Sequence, residues 1–104
     1  MGTNFTINNF SVVVPIYNEE AILLNSCHKI LKICKKMGID FEIIFSENGS
    51  TDNTLTLIKD FSSERAECKV ISNNVANYGT ALRNGFNEAK NEMIISFDID
   101  YFSE

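Results

Sequence analysis

The chain has 104 residues, 44% hydrophobic and 22% charged, with 9 Lys plus Arg against 14 Asp plus Glu and a net charge of −5. That length makes one domain, able to bury roughly 65% of its unfolded surface in a single core, and the composition excludes disorder, collagen and coiled coil. A net acidic chain does not hold a polyanion by bare electrostatics, so nucleic acid is not an expected partner; carboxylates can still receive a diphosphate through a divalent cation.

Phe10–Ile16 (FSVVVPI) is a short run rich in β-branched residues and reads as a strand buried on both faces. From Asn18 to Met37 the apolar residues Leu23, Cys27, Ile30, Cys34 and Met37 step by four and three, a helical stripe. Asn18 is the predicted N-cap, Glu19 and Glu20 suit the positive end of the helix dipole, and Gly38 is the stop. Lys29, Lys32, Lys35 and Lys36 lie off the stripe and read as a solvated face. Phe41–Phe45 is the second strand. The turn-rich Glu47–Asp52 comes next, with Ser50 or Thr51 as N-cap of a helix over about 52–61 that turns Leu55, Ile58 and Phe61 inward. Glu67–Ser72 is a third, less apolar strand, expected at a sheet edge. A third helix over 80–91 faces Ala81, Leu82, Gly85, Phe86 and Ala89 inward, and Met93–Phe97 is a fourth strand. The three cysteines, Cys27, Cys34 and Cys68, are odd in number and form no close pair, so they read as small buried hydrophobes in a reducing compartment. No apolar run approaches the roughly 20 residues of a membrane helix, and the polar N-terminus is not a signal peptide, which points to the cytoplasm.

Strands alternating with helices imply an α/β fold of parallel β-α-β units. Ligands of such open sheets bind beyond the carboxyl ends of the strands. The unusual polar residues fall there in every case. They are Tyr17, Asn18 and Glu19 after the first strand, Glu47 and Asn48 after the second, Asn73, Asn74 and Asn77 after the third, and Asp98 and Asp100 after the fourth.

Asp98 and Asp100 are the sharpest feature. Two apart on an extended chain, they point the same way and offer paired hard oxygens to Mg²⁺ or Mn²⁺. A solvated acidic turn has the same sequence. Tyr17 offers an aromatic face to a base, with Glu19 beside it for a base edge or a ribose, and Glu47 can accept from a base N–H. Asn48–Asp52 reads as loop chemistry. Arg83, one turn into the third helix, either reaches a diphosphate or is an exposed helix residue. The chain has no G-x-x-x-x-G-K-S/T and no G-x-G-x-x-G after the first strand. Its one histidine, His28, sits among lysines, which excludes histidine-based triads.

The segments SVVVPIYNEE, SENGSTDNT, NYGTALRNGF and SFDID, in this order, resemble the N-terminal half of the inverting GT-A-fold glycosyltransferases of family 2. The nearest kind is the dolichyl-phosphate mannose synthase-like and lipid-linked glucosyltransferase group. The resemblance spans about Phe10 to Asp100. It implies a Rossmann-like parallel sheet of order 3-2-1-4 and a UDP- or GDP-linked sugar donor passed to a lipid phosphate, polysaccharide or protein. It implies that Pro15, Tyr17, Glu19 and Glu47 hold the base, and that Asp98 and Asp100 bind ribose, diphosphate and metal. Asn48 departs from the family's second acid, and Phe102 stands where some members carry a polar residue near the metal. The family's acceptor half and its catalytic base come after the D-x-D pair. Residues 1–104 are therefore expected to be the donor-binding half as one domain, inactive alone, with membrane contact made by other parts. A binding module without catalysis and an inert fragment are the competing readings. The fourth strand is expected at the sheet edge, where two copies would pair as a homodimer.

Overall fold

The structure, a computed structural model, describes residues 7–74 and 76–102. Four strands, β1 (Asn9–Ile16), β2 (Asp40–Asn48), β3 (Cys68–Asn73) and β4 (Ile94–Ser96), form one parallel sheet in the order β3-β2-β1-β4. Three helices, α1 (Leu23–Lys36), α2 (Thr54–Ser63) and α3 (Tyr78–Glu88), connect them, and a 3-10 turn (Ile99–Phe102) succeeds β4. This is the α/β architecture and the strand order that the sequence predicts.

Alternation along β1 sorts the layers. Phe10, Val12, Val14 and Ile16 join Leu23, Cys27, Ile30 and Cys34 of α1 and Ile58 and Phe61 of α2 in the main core. One residue out of phase, Val13 faces α3, and Ser11 faces the segment after it, where its Oγ accepts from Asn91 N–H. α3 lies close against the sheet, because a Cβ on Gly85 would collide with Cγ1 of the fully buried Val13. All three cysteines are buried. Burial lifts the thiols of Cys27 and Cys68 to about 12 and that of Cys34 to about 11, so at neutral pH they pack as apolar groups.

Boundaries differ from expectation in α1, α2, β2, α3 and β4. Asn18 does not cap α1, which starts five residues later at Leu23. It takes a left-handed φ of 49° instead, and its Oδ1 accepts from the N–H of Thr51 at 2.8 Å. The backbone N–H of Glu19 donates to Thr54 Oγ1 at 2.9 Å, so the loop after β2 supplies the partners a cap would have supplied. Ser50 and Thr51 are engaged in that contact, and α2 begins at Thr54 after Asn53. β2 runs three residues past Phe45, which places Glu47 inside the strand. α3 starts two residues early, at Tyr78, because Asn77 caps it by accepting from Thr80 N–H at 2.9 Å. It ends at Glu88, where the chain turns extended and the next free N–H, of Lys90, is taken by Glu42. β4 is only three residues long, with Met93 and Phe97 outside it. Phe86 and Met37, expected inward, are exposed.

One charged group was not foreseen. Glu42 is buried on β2 at the amino end of the sheet. Its Oε2 accepts from Ser11 Oγ at 2.6 Å and from Lys90 N–H at 2.7 Å, and Lys69 Nζ lies 3.2 Å from Oε1. Burial alone would raise this carboxyl, but the donors outweigh it and hold it below the ordinary glutamate value.

Candidate functional site

Beyond the carboxyl ends of β1 and β4 the sheet opens into a cleft of about 270 Å³. Pro15, Ile16, Tyr17 and Glu19 line one side, Asp98, Ile99 and Asp100 another, and Asn48 and Tyr78 complete it. Five residues singled out in the sequence, Pro15, Tyr17, Glu19, Asp98 and Asp100, are therefore neighbours in space. They come together because β1 and β4 are adjacent and parallel, so the residues after each strand emerge on the same rim.

Asp98 and Asp100 are exposed, while Ile99 between them is 3% exposed and packs into the core. The buried isoleucine orients the pair: it anchors the chain and leaves an acid on each side of it. The backbone here is a 3-10 turn and not an extended strand, so anchoring by Ile99, in place of strand alternation, sends both acids to the cleft. Glu19 joins them. Partial burial, the negative charge of Asp100 and that of Asp52 all push its carboxyl above the ordinary value. The cleft is thus a place of crowded negative charge, which a divalent cation relieves. Among the described residues no three acidic, histidine or cysteine side chains are grouped closely enough to cage a metal. Two carboxylates with the rest of the shell from water and phosphate is how Mg²⁺ is ordinarily held, so the residues fit a cation that arrives with a diphosphate.

Tyr17 is 43% exposed at the end of β1, a free aromatic face. Asn48, which the sequence reads as loop chemistry, and Tyr78, which sequence reasoning did not single out, also belong to the cleft. The Tyr78 hydroxyl donates to Asp98 Oδ1 at 2.6 Å. Asn48 Oδ1 accepts from Asn77 N–H at 2.8 Å and so ties the end of β2 to the start of α3. The signal for both was position: a polar side chain at a strand end, and an aromatic hydroxyl at the first turn of a helix that opens on the rim.

Two expected residues are not on the cleft wall. Glu47 is 1% exposed within β2. Its Oε1 accepts from Ser72 Oγ at 2.8 Å, and its Oε2 accepts from Ser50 N–H. Burial would raise its carboxyl, but these bonds dominate and lower it. Glu47 therefore fastens the loop after β2, and that loop in turn grips Asn18 beside Tyr17. Arg83 is exposed on α3 and does not line the cleft. The Phe102 side chain lies outside the described residues.

The glycosyl transferase family 2 description matches residues 11–104. Undecaprenyl-phosphate 4-deoxy-4-formamido-L-arabinose transferase of Proteus mirabilis is 34% identical over 104 residues, covering 96% of this chain and 31% of that protein. Its counterpart in Pectobacterium atrosepticum is 37% identical over 98 residues, with 90% and 29% covered. The chain thus spans less than a third of the length of these relatives. Among solved structures, S. aureus TarS superposes with a TM-score of 0.66 at 27% identity, over 88% of this chain and 16% of that one. The chain belongs to glycosyl transferase family 2.

Proposed function

We propose that residues 1–104 form the donor-binding unit of a glycosyltransferase that takes a sugar from a cation-bound nucleoside diphosphate and passes it to a lipid phosphate. The observation that carries this reading is the convergence of Tyr17 and Glu19 with Asp98 and Asp100 on one cleft. Tyr17 stacks on the base, beside Pro15. Asp98 and Asp100 hold Mg²⁺ or Mn²⁺, which neutralises the departing diphosphate. Glu19, with its carboxyl raised by partial burial and by the charges of Asp100 and Asp52, gains from that added positive charge. Glu47 supports the site through the loop it fastens, and Arg83, exposed on α3 and not on the cleft wall, is given no role in it. The lipid-phosphate acceptor is favoured over polysaccharide or protein because the relatives are undecaprenyl-phosphate sugar transferases. Such an acceptor places the work at the cytoplasmic face of a membrane. No helix among the described residues is long and apolar enough to cross one.

The test is thermal shift with UDP and with GDP, each with Mn²⁺ and with EDTA. At ~100 times Kd a ligand adds about 2.7 kcal/mol to stability, a shift easily read. A clearly larger shift with Mn²⁺ than with EDTA supports the reading, and the preferred nucleotide names the base. Equal shifts in both conditions would reject the cation role of Asp98 and Asp100. On assembly, β4 is an edge strand among the described residues, and pairing of two copies through it is the arrangement proposed. Light scattering of the Ile95→Lys variant against the parent chain decides it.

A further inference from the structure

Asp98 stands beyond the end of a very short strand. The ladder between β4 and β1 pairs Ser11 with Ile94, Val12 with Ile95 and Val13 with Ser96, and one further bond joins Phe97 N–H to Val13 O at 3.1 Å. An exposed carboxylate just past a ladder normally samples several rotamers, and ordering it has an entropic cost. Here it is held by the Tyr78 hydroxyl, 2.6 Å from Oδ1.

Tyr78 is well placed to hold it. It opens α3, and α3 is seated from three directions. Gly85 lies tight on Val13 of β1, Ser46 Oγ of β2 donates to Ala81 O at 2.7 Å, and Asn48 Oδ1 at the end of β2 accepts from Asn77 N–H at 2.8 Å. Asn77 in turn accepts from Thr80 N–H, closing the first turn. The backbone of Tyr78 is therefore fixed to the centre of the sheet, while its hydroxyl reaches the acid beyond the edge strand. A phenol has two rotatable bonds and a rigid ring, so it transmits that fixed position at little entropic cost. Tyr78 and Asn48 both line the cleft that Asp98 lines.

We propose that Tyr78 is a positioning residue for Asp98. It occupies one carboxylate oxygen and thereby presents the other in a single orientation to the cation–diphosphate ligand, with Asn48 fixing the helix turn from which Tyr78 acts. This rests on the reading of the cleft as a cation-dependent nucleotide site. The contrasting role is direct contact, since the ring is 53% exposed and can itself touch a nucleotide.

Tyr78→Phe keeps the ring and removes only the hydroxyl. Two measurements on the 104-residue chain decide. The first needs no ligand: the NMR couplings that report the χ1 angle of Asp98. They should indicate one rotamer in the parent chain and averaged rotamers in Tyr78→Phe. Unchanged couplings overturn the proposal. The second is calorimetric titration with the tighter of UDP and GDP. With Mn²⁺ present, Tyr78→Phe should weaken binding about 2- to 10-fold, the range of one hydrogen bond, and in EDTA it should change nothing. An equal loss in both conditions overturns the proposal in favour of direct contact. If the parent chain binds neither nucleotide, the functional reading fails, and the couplings alone still decide whether Tyr78 positions Asp98.

Discussion

Glu42 and Glu47 lie five residues apart on β2, each 1% exposed, at opposite ends of the sheet. Both carboxyls are held below the ordinary glutamate value by donors that outweigh the effect of burial. Their partners differ in kind. Glu42 binds Ser11 of β1, Lys69 of β3 and the N–H of Lys90 before β4, so it joins strands to one another. Glu47 binds Ser72 at the end of β3 and the N–H of Ser50 in a rim loop, so it joins a strand to the structure that shapes the cleft. The amino end uses its buried charge to close the sheet, and the carboxyl end uses the same kind of group to shape a site. Loss of the first should be read in stability alone, and loss of the second in stability and ligand affinity together.

The largest expected effect is therefore at Glu42. Glu42→Ala leaves the Ser11 hydroxyl and the Lys90 N–H without an acceptor and frees Lys69 to solvent. It should cost about 3 kcal/mol in urea denaturation, the range for stranding buried hydrogen-bonding groups. Nucleotide affinity per folded molecule should not change. A fall in affinity as large as that of a rim variant would break the distinction between the two ends.

Glu47→Ala should cost less, about 2 kcal/mol, because its partners lie nearer to water at the rim. It should also weaken cation-dependent nucleotide binding. Ser50 Oγ accepts from Asn18 N–H at 3.0 Å, and Asn18 adjoins Tyr17, so releasing Ser50 loosens the Tyr17–Glu19 wall. A stability loss with affinity intact would confine Glu47 to a structural role. Its burial means that it cannot be changed without disturbing the fold.

Acid titration sharpens the same pair. Each carboxyl has a lowered native value, so its contribution is complete above the ordinary glutamate value of 4.5 and is lost as pH falls below it through the native value. Stability should decline with falling pH in that window. Glu42→Gln and Glu47→Gln should each flatten the decline, which urea midpoints at successive pH values measure. A variant with the parent's slope would show that the carboxyl does not bind its donors more strongly when ionised.

The features legible in the sequence are those set by local forces. The runs FSVVVPI and FEIIF and the four-and-three stripe of α1 disclosed the strands, the helix and the layer they share, because burial of apolar residues leaves a period in the chain. The rim was legible because parallel β-α-β topology puts the residues after each strand on one side. Glu42 was not legible: its partners are 31, 27 and 48 positions away, and only the register that sets Ser11 beside it reveals them. The end of β2 misled for a related reason. Ser46, Glu47 and Asn48 look like turn residues, yet each pairs in the ladder with β3, and their side chains bond α3, β3 or the rim loop. The displaced start of α1 belongs here too, since Asn18 had a local capping role available and a distant loop outcompeted it.

The smallest effect on the fold and the cleanest effect on the site should come from Tyr17. It lies just past β1, its ring is 43% exposed, and Ile16 beside it, 1% exposed, does the packing. Truncating an exposed side chain away from caps and strained backbone changes stability by about 0.5 kcal/mol or less. Asn18, the neighbour with positive φ, keeps its bonds to Ser50 and Thr51 in a Tyr17→Ala variant, so the loop should hold its shape. Affinity should nevertheless fall, because base–aromatic stacking is worth about 1–3 kcal/mol, or roughly 5- to 150-fold in Kd. Tyr17→Phe should restore it, since stacking needs the ring and not the hydroxyl. The loss should also be the same with Mn²⁺ and with EDTA, opposite to the pattern expected at Tyr78. Calorimetry on these variants separates a base-stacking residue from one that acts through the cation. A Tyr17→Ala chain that binds nucleotide like the parent would move the base to another part of the cleft.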